Sequence, residues 1–161
     1  MLTELLDPDA IVLHYPAQDA EDVIRLLSQK LLDKGYVRES FADATLAREA
    51  KLPTGLALGG NIHAAIPHTD VEHVIKPAVA LATLSQSVTF QHMIAPDEKV
   101  EVQIVFLLAL EQPKTQVTML QEVASVLQDQ ALIQRLMSAD TPKQILAALD
   151  QASHKTSKTS F

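Results

Sequence analysis

Two runs of this chain are apolar and β-branched at consecutive positions rather than alternate ones. Pro77 to Leu84 and Val100 to Leu110 therefore read as strands covered on both faces, at the centre of a sheet. Ala10 to His14 reads as a shorter strand closed by Pro16. Asp19 then caps a helix whose apolar residues Val23, Leu26, Leu27, Leu31 and Leu32 follow the helical period. Asp22 completes a capping box with the shorter acid, and Gly35 marks the helix stop. Ser40 starts a second helix carrying Phe41, Ala44, Leu46 and Ala50. Arg48 and Glu49 lie in its last turns, before Pro53 and Gly55 end it.

Ala64 to Ile66 predicts a short buried strand, Val88 to Phe90 a short strand at an edge, and Ala95-Pro96-Asp97-Glu98 a turn. After Pro113 the pattern is helical again, with Val117, Leu120, Val123, Ala124 and Leu127 on one face. Short helices follow at Asp129 to Met137 and Thr141 to Leu149, with Thr141 as N-cap and Pro142 at the first helical position. Helices interleaved with buried strands give an α/β sandwich, whose strand order this pattern leaves open. Residues 1–150 form one domain by this reading, and 151–161 offer so little to a core that they read as a polar tail.

Composition narrows the chemistry. With 161 residues the chain is long enough to bury a core without staples, and it has no cysteine, which excludes disulfides, thiolate catalysis and cysteine-based zinc sites. The run Ile104 to Leu110 is far short of the ~20 residues of a membrane helix. The N-terminus lacks a basic region and an apolar signal core, so a cytoplasmic protein is expected. A net charge of -7, 4% aromatic residues and no cluster of Lys or Arg argue against a nucleic-acid footprint. No Walker or dinucleotide glycine pattern exists, and no cofactor is expected.

The segment Leu52 to Asp70 concentrates the candidate chemistry. His68 follows Pro67 at the end of an apolar strand, and proline cannot donate to a ladder. The chain is therefore expected to leave the sheet there with the imidazole facing solvent on a rigid base. A neutral imidazole offers one ring nitrogen as a nucleophile while an acceptor fixes the other, and Thr69, Asp70 or a backbone carbonyl would serve as that acceptor. Arg48, if its helix packs beside this strand, has the guanidinium geometry to hold phosphoryl oxygens bidentately. His63, His68, Asp70 and His73 also invite a metal-dependent hydrolase reading, although Pro67 interrupts them and nothing in the spacing makes the rings converge.

Ala-Arg-Glu-Ala at 47–50, Leu-Pro-Thr-Gly-Leu at 52–56, Ala-Ile-Pro-His-Thr-Asp at 65–70, and Phe-Leu-Leu-Ala-Leu followed by Glu-Gln-Pro-Lys at 106–114 occur in this order. In that order and spacing they resemble the enzyme IIA domains of the fructose and mannitol phosphotransferase-system superfamily, and within it the galactitol type. The resemblance implies a mixed sheet flanked by helices. It further implies that His68 accepts a phosphoryl group from the phosphocarrier HPr and passes it to an enzyme IIB partner, with Arg48 stabilising the phosphoryl oxygens and no metal or cofactor bound. A separate membrane subunit IIC would carry the sugar. Where fructose and mannitol members have a second active-site histidine, this chain has Gln116, a departure shared with the galactitol type. Thr69, Asp70, His73 and Gln91 are supporting candidates, and His63 reads as a surface or loop residue. A regulatory protein that signals through phosphorylated His68 is the alternative from a different class.

Overall fold

The computed structural model describes residues 2–159, with side chains through Ala152. Strands β1 (Leu6–Tyr15), β2 (Gly55–Leu56), β3 (Ala64–Ala65), β4 (Ala78–Gln91) and β5 (Lys99–Ala109) form one sheet in the order β1-β4-β5-β3-β2. The sheet is mixed. β1 runs parallel to β4 and β3 parallel to β5, while the β4–β5 and β2–β3 pairs are antiparallel. Helices α1 (Leu2–Leu5), α2 (Ala20–Asp33), α3 (Phe41–Lys51), α4 (Pro113–Gln128), α5 (Gln130–Ser138) and α6 (Pro142–Thr159) flank it, with a 3-10 turn at Val71–His73. The expected α/β sandwich with a buried central sheet is the architecture observed.

Alternation along the two central strands makes two cores. Val79, Leu81, Ile104, Phe106 and Leu108 point to one face, where α4, α5 and α6 bring Met119, Val123, Leu132, Leu136 and Ile145. Ala78, Ala80, Ala82, Val105 and Leu107 point to the other, against Val23, Ile24, Leu27 and Leu31 of α2 and Phe41 of α3. This is why both runs are apolar at every position. Truncating Phe106, which is fully buried, to alanine is expected to cost about 3–5 kcal/mol.

The predicted N-cap and C-terminal stop of α2 are present, while the capping box is not closed: the Asp22 carboxylate accepts from Gln18 N, one residue before the cap, instead of from Asp19 N. The Asp19 carboxylate accepts from the Asp22 backbone N–H (2.8 Å). At the other end, Gly35 takes φ +78°, and the Gly35 and Tyr36 N–H groups bond back to Leu32 and Leu31. Thr141 caps α6 through its hydroxyl, which accepts from Gln144 N (3.2 Å).

Three further expectations are corrected. Val88 to Phe90 is the distal half of β4 and not a separate edge strand, because the polar stretch Ser85-Gln86-Ser87 is a register irregularity after which the ladder resumes at Val88 opposite Val102. On α4 the buried stripe is Met119, Val123 and Leu127, four residues apart. Val117, about half a helical turn away from Met119, is 58% exposed, and Ala124 is exposed too. Finally, α6 continues to Thr159 and packs Ala152 on the core, so helical backbone extends into the segment read as a tail. Ser160 and Phe161 lie outside the described residues.

Candidate functional site

β3 carries the site. Ala64 and Ala65 pair with Ile104 and Val105 of β5, and the chain does not leave the sheet at Pro67 as expected. The Pro67 carbonyl accepts from Leu108 N (3.1 Å), and His68 itself bridges Leu108 in parallel register. Proline forfeits only the donor, and the neighbouring strand uses its acceptor.

This extension seats the His68 ring partly inside the protein rather than facing solvent. It is half-buried, and Nδ1 lies 2.8 Å from the Ile66 carbonyl oxygen. A carbonyl only accepts, so Nδ1 carries the hydrogen and Nε2 keeps its lone pair. Among the acceptors the sequence allowed, the backbone carbonyl is the one found. Thr69 is buried and Asp70 exposed, and among the described residues neither makes a side-chain hydrogen bond to the ring. Burial pushes the His68 pKa below the ordinary histidine value and the positive charge of Arg48 adds to the shift, against the Ile66 carbonyl and the weaker pull of Asp70. His68 is therefore neutral at pH 7.

Arg48 lies in the last turns of α3, close enough for its charge to weigh on His68. Among the described residues its guanidinium makes no hydrogen bond or ion pair, which leaves it available to an anion. The end of α3 is tied to β3 by residues the sequence reading passed over. Glu49 accepts from Thr54 N (2.8 Å) at one carboxylate oxygen and from Thr54 Oγ1 (2.7 Å) at the other. The Thr54 carbonyl in turn accepts from Ile66 N (3.3 Å). Burial pushes the Glu49 pKa up, while the two Thr54 bonds and Arg48 oppose the shift. A signal for Glu49 was present: an acid in the last turn of a helix opposes the helix dipole and needs a partner of its own.

The remaining candidates are dispersed. Gln116 is half-buried in the first turn of α4, which starts just beyond the end of β5 where His68 pairs. His73 holds Ser40 Oγ at 2.8 Å through Nδ1, and its carbonyl accepts from Arg38 N, so it fastens the 3-10 turn to the start of α3. Gln91 sits at the β4–β5 hairpin tip. With its amide nitrogen turned inward it donates to the Pro96 and Glu98 carbonyls (2.9 and 3.2 Å) and closes that turn. His63 is half-buried and its Nδ1 accepts from Leu58 N (2.9 Å). The rings of His63, His68 and His73 thus face three different partners, and no group of three or more metal-ligating side chains converges among the described residues. No described helix is long and apolar enough to cross a membrane.

The chain matches the family described as phosphoenolpyruvate-dependent sugar phosphotransferase system, EIIA 2, over residues 4–152. It is 32% identical over 121 residues to the galactitol-specific EIIA component of Escherichia coli K12, covering 74% of this chain and 79% of that protein. It is also 32% identical to the 2-O-alpha-mannosyl-D-glycerate-specific EIIABC component of the same organism. That match covers 99% of this chain but spans only 24% of the longer protein. Among solved structures, the complex of E. coli enzyme IIA mannitol with phosphorylated enzyme IIB mannitol is similar at a TM-score of 0.73 and 25% identity, covering 91% of this chain and 99% of that one.

Proposed function

The chain belongs to the EIIA type 2 family of the phosphoenolpyruvate-dependent sugar phosphotransferase system, and on that premise we propose that it is a cytoplasmic phosphocarrier whose acceptor atom is His68 Nε2. The observation that carries this reading is the bond from His68 Nδ1 to the Ile66 carbonyl, which leaves Nε2 as the ring's lone-pair atom beside the charge of Arg48. Transfer from phospho-HPr breaks the N–P bond of the donor as the Nε2–P bond forms. Transfer onward to an enzyme IIB side chain reverses those roles. Such chemistry asks for in-line positioning and stabilisation of oxygen charge. The neutral imidazole supplies the nucleophile, the Ile66 carbonyl keeps the proton at Nδ1 throughout, and Arg48 holds the phosphoryl oxygens. The structure of a related IIA with phosphorylated IIB supports an IIB partner for this chain.

The test is intact-protein mass spectrometry at mildly alkaline pH after incubation with phosphoenolpyruvate, enzyme I and HPr, comparing wild type with His68→Ala. One acid-labile phosphate in wild type alone is the expected result. Phosphate on both proteins removes His68 from the mechanism, and phosphate on neither, with an active HPr supply, removes the HPr-dependent carrier role. Chase of the labelled protein with purified IIB separates a transport role, in which phosphate leaves stoichiometrically, from a signalling role, in which it stays.

A further inference from the structure

Glu49 takes no part in the phosphoryl chemistry described above, yet its carboxylate is turned inward beside the site with both oxygens committed. One oxygen holds the backbone N–H of Thr54 and the other its hydroxyl, at 2.8 and 2.7 Å. Keeping a carboxylate out of water costs stability, because burial disfavours its charged form. The fold has a cheaper way to hold this edge. Gly55 pairs with Ala65, its carbonyl accepts from Met93 N (2.8 Å), and a Cβ at Gly55 would lie 2.6 Å from the Gln91 carbonyl oxygen, so the hairpin tip already packs against β2. What Glu49 adds is a continuous route of hydrogen bonds: Thr54 Oγ1 and N to Glu49, Ile66 N to the Thr54 carbonyl, and His68 Nδ1 to the Ile66 carbonyl.

We propose that Glu49 is a positioning residue for His68: by gripping Thr54 it holds the backbone of Ile66 in place, whose carbonyl selects the Nδ1–H form of the ring, and it anchors the helix end that presents Arg48. The route has a defined polarity. Thr54 offers its carbonyl to Ile66 N while its own N–H and hydroxyl are turned back to α3. The bond at its N–H fixes the backbone where Ile66 enters, and the Ile66 carbonyl, in the next peptide plane beyond its φ and ψ, meets Nδ1. Loosening Thr54 lets the Ile66 carbonyl tilt, and the ring then loses the bond that keeps the proton off Nε2. The proposal rests on the phosphocarrier reading for its effect on rate, but not for its effect on the ring.

The experiment is a set of three variants read in two ways. Glu49→Ala removes both acceptors that hold Thr54, whereas a glutamine can still accept from the Thr54 N–H and donate to its hydroxyl; Thr54→Val deletes the hydroxyl alone, and Thr54→Ser keeps it. The first readout is the ring nitrogen spectrum of His68 in protein labelled with 15N-histidine. Wild type and Thr54→Ser are expected to show a protonated Nδ1 and an unprotonated Nε2, whereas Glu49→Ala and Thr54→Val drift toward averaged shifts. The second is the rate of phosphoryl uptake from phospho-HPr, expected to fall ~10- to 100-fold in those two variants, in the rate at saturating donor more than in the half-saturating concentration. A folded Glu49→Ala with the wild-type His68 spectrum overturns the proposal, whatever its rate. If that variant does not fold, Thr54→Val decides by the same spectrum. Should wild type accept no phosphate, the carrier reading falls, and the spectrum still decides whether Glu49 positions the ring.

Discussion

His63 and His68 stand at the two ends of the same short strand, and the backbone makes them chemical opposites. The ring of His63, entering β3, uses its Nδ1 lone pair to accept the Leu58 N–H. The ring of His68, leaving β3, uses its Nδ1 hydrogen to meet the Ile66 carbonyl. The neutral His63 ring therefore carries its hydrogen on Nε2, and the neutral His68 ring carries a lone pair there. His63 is also stitched down on both sides, its N–H on the Gln103 side chain and its carbonyl accepting from Gln103 N. On the proposed reading, what separates a nucleophile from a staple is which backbone group lies within 3 Å of one ring atom.

The strongest way to break this comparison is to remove each ring in turn. His68→Gln should abolish phosphoryl uptake, a loss of at least about a thousandfold, since no other route to a phosphohistidine is proposed. Melting should change little, because the backbone bonds of the Pro67 extension remain. His63→Ala should do the reverse: transfer within about twofold of wild type, and a stability loss of ~1 kcal/mol from stranding the partly buried Leu58 N–H. Phosphate uptake by the His68 variant, or its loss in a folded His63 variant, would undo the assignment. Both are read by mass spectrometry and thermal melting.

The next effect in size is at Arg48, which distinguishes the surroundings of the two rings because its charge bears on His68. Arg48→Ala is expected to slow transfer ~100-fold and Arg48→Lys ~10-fold, since lysine keeps the charge but loses the planar fork. Stopped-time uptake assays with phospho-HPr measure both. A wild-type rate for Arg48→Lys would show that a point charge suffices and would remove the bidentate contact from the mechanism.

How much of this was legible in the sequence differs between the core and the site. The central strands, the caps of α2 and the start of α6 were readable because each is a local pattern: apolar runs, an Asp three residues before another acid, Thr-Pro at a helix start. β4 was read as two strands because its polar middle looks like a turn, and only pairing with β5 shows the ladder continuing. At the site, His68 and Arg48 were visible as residue types in a motif. The Pro67 extension, the Ile66 acceptor and the Glu49–Thr54 grip were not, because each depends on a backbone group whose direction is set by the neighbouring strand. The same limit applies to His63, since spacing carries no information about which ring atom meets a donor.

The pH dependence of the two states sharpens the picture with a smaller effect. The folded His68 pKa lies below its ordinary value of 6.5, chiefly through burial. As pH falls through about 6.5 the unfolded chain takes up the proton first. The stability contributed by this ring is therefore complete above that value and is lost as pH falls toward the folded pKa, with no further loss below it. Transfer should hold to below pH 6.5 for the same reason, because the ring remains neutral. Melting as a function of pH, with and without His68→Gln, measures the first statement. A variant that keeps the full acid slope would assign that slope to another group.

Asp70→Asn has the smallest expected effect, and it tests whether orientation or charge governs the ring. Asp70 pulls the His68 pKa upward against burial, but it is exposed, and it is the weakest of the influences on that ring. Its removal should lower the His68 pKa slightly further, and added salt should shrink the difference, since exposed charges are screened over about 8–10 Å at physiological ionic strength. Transfer at pH 7 should stay within about twofold, because a ring already neutral gains nothing from a lower pKa and the Nδ1–H form is held by a carbonyl that the substitution does not touch. A histidine titration followed by 15N shifts gives the pKa, and the uptake assay gives the rate. If instead transfer fell tenfold at an unchanged tautomer, Asp70 would have to act on the incoming phosphoryl group or its donor, and the contrast between the two ends of β3 would rest on charge as well as on the backbone.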